Sequence, residues 1–459
     1  MIRPHRIIAP GRRHIRAARP SRCVVLAVAV VLTTCQAPPG PPAVDRSIPA
    51  DSGRTTPLIA PPPPSAEPLV RVRIIKDAHR VTVDASGALL IASDGQSSER
   101  GTPLSVIGPA TISRSASGFL IRTQGRGGAD PARTYQAPMQ AIVVRATGGS
   151  AVLVNGVSYP GSVVLTANLD MASDPTRYDV VNHVMIESYL PGVLTRELYR
   201  DWHPQTFAAQ AIAARSYAIV QSATHRQRHY DVESTSASQA YGGSNAHPLA
   251  QQAVARTRGM VLVYQGRVLP AYYSSSTGGT GQDAAAAFPD QPDLPPLRGR
   301  QQGAWDAASP HYRWGPMTRN RFTFAQRLAA WGRAKKNPIG ALRDIDQIAV
   351  AAVNSAGRPT TFSITDRSAR VYRLSAEQFR TACNYEAAGL PAVADKTNLR
   401  SSHVRVAVVG HVVQFTDGHG FGHGVGMSQW GAQAMAKQGR TYKAILDFYY
   451  PGAVIHKAY

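Results

Sequence analysis

The segment DGHGFGHGVGMSQWGAQAMA, which begins at Asp417, sets two histidines among regularly spaced glycines. Glycine occupies every second position from Gly418 to Gly426, and His419 and His423 stand between the glycines. The preceding HVVQF is typical of a strand, and an extended backbone would put the glycines on one face and the histidines on the other. A face without side chains lets another backbone or a ligand approach closely. The pattern therefore predicts an extended wall of a tightly packed site.

Two kinds of ligand chemistry can be weighed for this stretch. Neither G-x-G-x-x-G nor G-x-x-x-x-G-K-[ST] is present, which excludes a phosphate-binding loop. His419 and His423 are four residues apart, but glycine-rich sequence does not form the helix that turns such a spacing into a ligand pair, and no third ligand is evident. No metal is therefore predicted. A hydrogen-bonded structural histidine remains the alternative for each, and His423 is the better functional candidate.

A single acid stands in the segment TRELYRDWHP, where Glu197 is close to Tyr199 and Trp202. A carboxyl group beside aromatic rings can have a raised pKa and serve as a general acid. The alternative is a solvated acid near a helix N-terminus, which the sequence leaves open.

The serine-rich segment YYSSSTGGTGQD is a second candidate for chemistry. Ser274, Ser275 and Ser276 lack the strained G-x-S-x-G turn that a serine nucleophile uses. A polar loop that lines a cleft is the better interpretation.

The elements that must position these residues can be outlined from sequence patterns. Alternating apolar and polar residues predict short strands over 69–170. A long Ala-rich helix is expected from Pro204, after a break at Pro191-Gly192. A hairpin turning at Gln265-Gly266, an irregular insertion at about 281–320, a helix capped by Ser428 and ended by Gly439, and the short helix YKAILDFYY follow. The predicted fold is α+β, with a β-rich region at 69–170 and a mixed body at 171–459.

The N-terminal 68 residues predict export. Arginines precede the apolar run CVVLAVAVVL, which is too short to span a bilayer and is typical of a secretory signal over 1–35. LTTC, ending at Cys35, resembles a lipobox, so lipid anchoring to a membrane at Cys35 and plain cleavage both stay open. Residues 36–68 are rich in proline and predict an extended linker. Cys383 is the one cysteine of the body, which excludes an internal disulfide.

The charge and its distribution along the chain limit the kinds of partner that the protein can have. The chain has 459 residues and a formal charge of +22, with 43% hydrophobic residues. Outside the leader the basic residues are spread rather than clustered, so no nucleic-acid-binding stripe is expected. A basic body fits an anionic surface in the cell envelope.

Four ordered blocks resemble the SpoIID/LytB family of bacterial peptidoglycan-remodelling proteins. They are YLPGVLTREL with FAAQAIAARSYA, DVESTSASQAYGG, the hairpin with SSSTGGTGQD, and GHGFGHGVGMSQWGAQAMAKQGRTYKAILDFYYPG. The blocks extend from about Tyr189 to Gly452, over half of the chain. The resemblance implies a lytic transglycosylase that cuts glycan strands between N-acetylmuramic acid and N-acetylglucosamine. Its catalytic acid maps onto Glu197, although the family's EMP block reads ELY here.

One carboxyl group suffices for that reaction, because the C6 hydroxyl of the sugar replaces the second carboxylate of ordinary glycosidases. The family blocks also imply cleft residues, and these are Gln210, Arg215, Ser275, His423, Ser428 and Gln429. Arg215 could bind a sugar carboxylate or pair with Glu197.

The sequence differs from the family pattern at a few positions. Two cysteines that bind zinc in some relatives are replaced by Glu233 and Ser238, and Ser274 stands where relatives often have His. No cofactor is expected. Peptidoglycan is the expected partner. The alternatives are a non-catalytic enhancer of a wall amidase, and a wall-glycan-binding module without turnover.

Overall fold

A computed structural model describes residues 60–93, 103–123, 132–167, 174–235, 238–288 and 290–459. The predicted signal, Cys35 and the linker up to residue 59 lie outside the described residues. Residues 60–68 contact the body, because Val268 N donates to Pro61 O at 2.8 Å and Glu187 N donates to Glu67 Oε1 at 3.2 Å. These contacts begin before residue 69, the boundary predicted for the linker. Within the described part of the chain, none of the helices combines the length and apolar character of a membrane span.

The described residues of the region predicted over 69–170 fold as strands, as their alternating pattern predicts, and β12 follows as the first strand of the body. The strands are β1 (Leu69–Ala78), β2 (Arg80–Asp84), β3 (Ala88–Ser93), β4 (Leu104–Ile107), β5 (Ala110–Ser115), β6 (Gly118–Thr123), β7 (Thr134–Ala137), β8 (Ala141–Ala146), β9 (Val152–Val154), β10 (Val157–Tyr159), β11 (Ser162–Ala167) and β12 (Tyr178–Met185). Their alternate apolar side chains are buried in a common core between two sheets.

The two sheets join this region to the rest of the chain. One has the order β10-β9-β2-β5-β6-β7. The other has the order β13-β1-β12-β11-β8-β3-β4, where β13 is Val232–Glu233. β12 lies between β1 and β11 and leads directly into the first helix, so the β-rich region and the body share a sheet across residue 171.

The later elements alternate between helices and short strands, which makes the fold α+β. The helices are α1 (Ile186–Glu197), α2 (Pro204–Thr224), α3 (Pro248–Arg256), α4 (Ala284–Ala287), α5 (Arg321–Ala334), α6 (Ala376–Cys383), α7 (Gln429–Lys437) and α8 (Tyr442–Tyr449). The strands are β14 (Met260–Tyr264), β15 (Arg267–Val268), β16 (Tyr273–Ser274), β17 (Arg313–Trp314), β18 (Met317–Asn320), β19 (Gln347–Val353), β20 (Pro359–Thr365), β21 (Val371–Ser375), β22 (Arg405–Val409), β23 (Val412–Thr416), β24 (Gly418–His419), β25 (Met427–Ser428) and β26 (Val454–Lys457).

The predicted helix starts and the hairpin turn are confirmed. Pro204 is the first residue of α2, and the side chain of His203 accepts from Gln205 N. Ser428 caps α7 by accepting from Gly431 N at 3.2 Å. Gln265 and Gly266 have φ of 49° and 73°, the left-handed pair that a tight hairpin turn requires.

The predicted break at Pro191-Gly192 is wrong, because α1 runs through both residues. Gly192 instead permits close packing: a Cβ at this position would lie 2.3 Å from Gly243 O. The glycine serves tertiary contact with the segment after residue 240, which a local pattern does not show.

Residues beyond the predicted insertion form a core of their own. The sheets β18-β23-β22 and β19-β20-β21 pack with α5 and α6 around it. Cys383 is fully buried in this core, and burial raises the pKa of its thiol to about 12. It therefore packs as a small apolar residue, as predicted.

The glycine-rich stretch departs from the extended strand that its alternation predicted. Only its ends are strands, β24 and β25, and Gly420, Gly422, Gly424 and Gly426 have φ between 69° and 99°. The backbone therefore enters the left-handed region at every second residue, which glycine adopts without strain. The predicted close approach is confirmed: a Cβ on Gly426 would lie 2.1 Å from Tyr272 O.

Candidate active site around Glu197

Glu197 is the last residue of α1, and its carboxyl group is held by two other parts of the chain. Ala240 N donates to Oε1 at 2.9 Å, and Gln429 Nε2 donates to Oε2 at 3.1 Å. Burial raises the pKa of Glu197, while these two hydrogen bonds act in the opposite direction. The interpretation as a solvated acid near a helix N-terminus is therefore wrong.

Gln429 reaches Glu197 because α7 is anchored at its start. Ser428 Oγ donates to Asp306 Oδ2 at 3.1 Å. The same oxygen accepts from Ser276 Oγ at 2.8 Å and from the N–H groups of Thr277 and Gly278 at 2.7 and 3.0 Å. Asp306 thus ties the serine-rich loop to the N-terminus of α7.

Asp306 is a site residue that was not predicted, and it lies in the segment predicted to be an irregular insertion. Its function as an anchor depends on elements more than 25 residues away on either side, so no local pattern marks it. The surplus of small hydrogen-bonding residues in the segment SSSTGG was the available signal that a buried acceptor is needed.

Aromatic side chains that follow Glu197 and Gln429 in the chain form a cluster. The ring centroids of Tyr199, Trp202 and Trp430 lie 5.1–5.7 Å apart, with Trp202 buried and the other two half-buried. Tyr199 and Trp202 were predicted as neighbours of Glu197, whereas Trp430 was not. Trp430 follows Gln429, so the same helix start supplies both a hydrogen-bond donor and an aromatic ring.

A buried network of tyrosines lies behind Glu197. Tyr189 Oη donates to Gln239 Oε1 at 3.1 Å, and Gln239 Nε2 donates to Tyr273 Oη at 3.0 Å. Burial raises the pKa of both tyrosines well above the ordinary value, and the negative charge of Glu197 adds to the shift. Both hydroxyls stay protonated at neutral pH; the Tyr189 proton is already donated to Gln239, whereas Tyr273 accepts from Gln239 and can donate to another group.

Of the six predicted cleft residues, only Gln429 is bonded to Glu197. Ser275 is half-buried, and its carbonyl accepts from Trp430 N at 3.1 Å, which places its backbone at the start of α7. Ser428 is fully buried and acts as a helix cap, so its hydroxyl is unavailable to a ligand. Gln210 is also fully buried, and neither polar atom of its side chain has a partner among the described residues.

Arg215 does not pair with Glu197. Its guanidinium is fully buried and forms hydrogen bonds of 2.9 and 2.8 Å with the two carboxylate oxygens of Glu187. It also donates to Met260 O at 3.0 Å. Its predicted contact with a sugar carboxylate is therefore incompatible with this structure, because the charge is neutralised inside the core.

His423 is held as a neutral structural histidine. Its Nδ1 accepts from Val425 N at 3.0 Å, and the backbone of Tyr273 is a further hydrogen-bonding partner. Burial, together with the charges of Arg380 and Arg358, lowers its pKa to about 3. The structure thus favours the structural alternative for His423 over ligand binding. His419 is likewise engaged, with Nε2 3.0 Å from Asp417 Oδ1.

Glu233 and Ser238, which were expected to stand in place of a pair of cysteines, contact each other and other parts of the protein. Glu233 N donates to Ser238 Oγ at 3.2 Å, and the Glu233 carboxylate pairs with Arg73. Ser274 is buried and its Oγ has no hydrogen-bond partner among the described residues. Across the described ranges, no group of three or more His, Cys, Asp or Glu side chains is arranged to hold a metal ion.

The comparisons with known proteins match the part of the chain that builds this site. The family model described as SpoIID, stage II sporulation protein, matches residues 174–264, which include Glu197, Gln239 and Ala240. An uncharacterized protein of Brachyspira hyodysenteriae is 30% identical over 66% of this chain and 73% of its own length.

Other relatives have descriptive names, including two that span more than half of this chain. Stage II sporulation protein D of Bacillus amyloliquefaciens is 28% identical over 61% of this chain and 76% of its own length. The amidase enhancer of Bacillus subtilis is 28% identical over 58% of this chain, which matches 40% of that longer protein. The structure brings together the acid of α1, the donor segment after residue 238 and the capped α7, which lie in the blocks that resemble the family. The chain belongs to the SpoIID family.

Proposed function

We propose that the protein is an exported lytic transglycosylase that cleaves peptidoglycan strands between N-acetylmuramic acid and N-acetylglucosamine. The observation that carries the proposal is the environment of Glu197, where burial raises the pKa of the carboxyl group from its ordinary value. A carboxyl group with a raised pKa holds a proton closer to neutral pH and can donate it to a glycosidic oxygen.

The chemistry assigns both proton transfers to Glu197. In the first, its carboxyl proton passes to the bridging oxygen as the bond to C1 of the muramic acid breaks. In the second, the carboxylate takes the proton of the C6 hydroxyl as that oxygen bonds to C1. The products are a 1,6-anhydro sugar end and a free 4-hydroxyl group, and no water is consumed. Among the described residues, no second carboxylate is bonded to Glu197, and this reaction does not require one.

The side-chain amide of Gln429 can form a hydrogen bond with Glu197 in either protonation state of the acid. Its amide donates Nε2–H to the carboxylate, and after rotation its Oε1 can accept from the protonated acid. The aromatic cluster of Tyr199, Trp202 and Trp430 offers apolar surface for a sugar ring beside the acid.

A second candidate function comes from a relative. The amidase enhancer of Bacillus subtilis shares 28% identity with this chain, so a non-catalytic partner of a wall amidase is the competing proposal. For either function we propose export to the cell envelope, with lipid anchoring at Cys35 as one mode of attachment.

Digestion of peptide-free glycan strands separates the two functions. We expect wild-type protein to release fragments with 1,6-anhydro ends and Glu197→Gln to release at least 100-fold less, because the acid is lost. Asp201→Asn, which changes an exposed acid four residues away, is the matched control and should retain activity. If wild-type protein and Glu197→Gln give the same products, or neither gives any, the transglycosylase proposal fails.

A further inference from the structure

Arg196 lies beside the candidate acid and has an exposed side chain. Its stem rests on Gly242, where a Cβ would lie 3.1 Å from Arg196 Cγ and Nε. Gly242 is two residues beyond Ala240, whose N–H holds Glu197. Two residues of chain span about 7 Å at most, so Arg196 and Glu197 contact neighbouring positions of one segment.

The charge of Arg196 is not neutralised by the protein. Among the described residues, no carboxylate pairs with its guanidinium, whereas Arg73 and Arg215 form ion pairs. The charge of Arg196 acts on the pKa of Tyr159, which places the guanidinium near the edge of the β-rich region. The ring of Tyr159 in turn packs 5.8 Å from that of Tyr241, which precedes Gly242. An exposed cation that lies against the backbone of Gly242 and has no carboxylate partner among the described residues suits an anionic group brought by a ligand.

We propose that Arg196 binds the carboxylate of the N-acetylmuramic acid residue at the cleavage site and so makes the protein select strands whose carboxylate is free. The inference rests on the proposed function and assigns one of its specificity determinants. Stem peptides are attached to the glycan through this carboxylate, as an amide that carries no charge. A guanidinium forms two parallel hydrogen bonds with a carboxylate and cannot do so with an amide.

This assignment replaces Arg215 as the partner of the sugar carboxylate. Arg215 is fully buried against Glu187 and out of reach of a ligand, whereas Arg196 is exposed. Arg200 is also exposed but follows the end of α1, and it serves as the matched control for charge alone.

The test measures binding in the Glu197→Gln protein, so that no turnover occurs. The probes are a tetrasaccharide of alternating N-acetylglucosamine and N-acetylmuramic acid, and the same compound with its carboxylates converted to methylamides. At low salt we expect about tenfold tighter binding of the free-acid form, which corresponds to one charge-assisted contact. The preference should shrink as salt screens the pair.

The variants decide the assignment. Arg196→Gln in this background should bind both compounds equally, with the affinity that the parent has for the methylamide. Arg196→Lys should keep part of the preference, and Arg200→Gln should keep all of it. Thermal melting of each variant verifies that the fold is retained.

The outcomes separate two failures. If Arg196→Gln keeps the tenfold preference, or the parent binds both compounds equally well, the assignment of Arg196 is overturned while glycan binding stands. If the parent binds neither compound and wild-type protein releases no anhydro ends from glycan strands, the proposed function fails and the assignment fails with it.

Discussion

At the scale of single residues, the chemistry of the site follows from where each polar group finds its partner. Glu197 receives one hydrogen bond from a backbone N–H and one from a side-chain amide, in surroundings that disfavour its charge. Arg215, a charged residue of the neighbouring helix, is instead matched with Glu187 inside the core. Among the described residues, no cation forms an ion pair with Glu197 to stabilise its ionised form, which suits a proton donor.

The raised pKa of Glu197 predicts a pH-dependent effect on stability. Because the pKa in the folded protein lies above that in the unfolded chain, Glu197 contributes stability at low pH that is lost as pH rises through the folded-state pKa. Glu197→Gln removes the ionised state, so its melting temperature should exceed that of wild type increasingly from pH 4 to pH 8.

Melting curves across this pH range check the prediction. Asp201→Asn, which changes an exposed acid four residues away, is the matched control for the loss of a carboxylate. A melting-temperature difference for Glu197→Gln that is constant or shrinks with rising pH would contradict the raised pKa. The pKa of His423 lies at about 3, so this histidine does not titrate in the same range.

At the scale of elements, the glycine-rich stretch acts as a packing surface for buried side chains and loops. Gly424 lies against Arg358, which is fully buried and donates to the carbonyls of Thr277 and Thr280 at 3.0 and 2.7 Å. The same arginine donates to His423 O at 3.3 Å. The stretch thus fixes the serine-rich loop, which in turn meets the start of α7.

Gly424→Ala tests this packing. Its φ is 76°, and a Cβ would lie 2.3 Å from Arg358 Nη1, so we expect a loss of about 3 kcal/mol or more of unfolding free energy. Gly439→Ala is the matched control, since its φ is 83° but open space surrounds it, and it should cost about 1 kcal/mol. Urea unfolding of both variants measures the difference. Equal costs would show that backbone conformation alone explains the glycine.

At the scale of the whole molecule, the β-rich region and the body depend on a shared sheet. β12 of the body pairs with β1 on one side and β11 on the other. Arg73 of β1 is buried and bonds Asp179 of β12 at 2.9 Å and also Glu233 of β13. The connection is therefore both a backbone ladder and a buried ion pair.

A fragment of residues 174–459 should consequently fail to fold on its own. It loses both neighbours of β12 and leaves Asp179 buried without Arg73, a loss of about 3–5 kcal/mol from the ion pair alone. We expect no cooperative thermal transition from this fragment, whereas residues 60–459 should give one. Circular dichroism of the two fragments is the measurement, and a cooperative transition for residues 174–459 would contradict the shared-sheet dependence.

Much of this protein was determined by local sequence. Helix starts with capping residues, such as Pro204 and Ser428, and the turn at Gln265-Gly266 depend on nearest neighbours along the chain, so local patterns predict them. The family blocks located Glu197 and Gln429, which the structure joins by a hydrogen bond.

The remaining features were decided by tertiary structure, because they depend on partners far apart along the chain. Arg215 forms an ion pair with Glu187, 28 residues away, and Ser428 forms a hydrogen bond with Asp306, 122 residues away. The alternating glycines predicted an extended strand, but four of them, from Gly420 to Gly426, adopt left-handed φ where backbone or side chains from other parts of the chain lie close to them. A sequence pattern states that a close approach is allowed, and only the packed fold determines which group makes it.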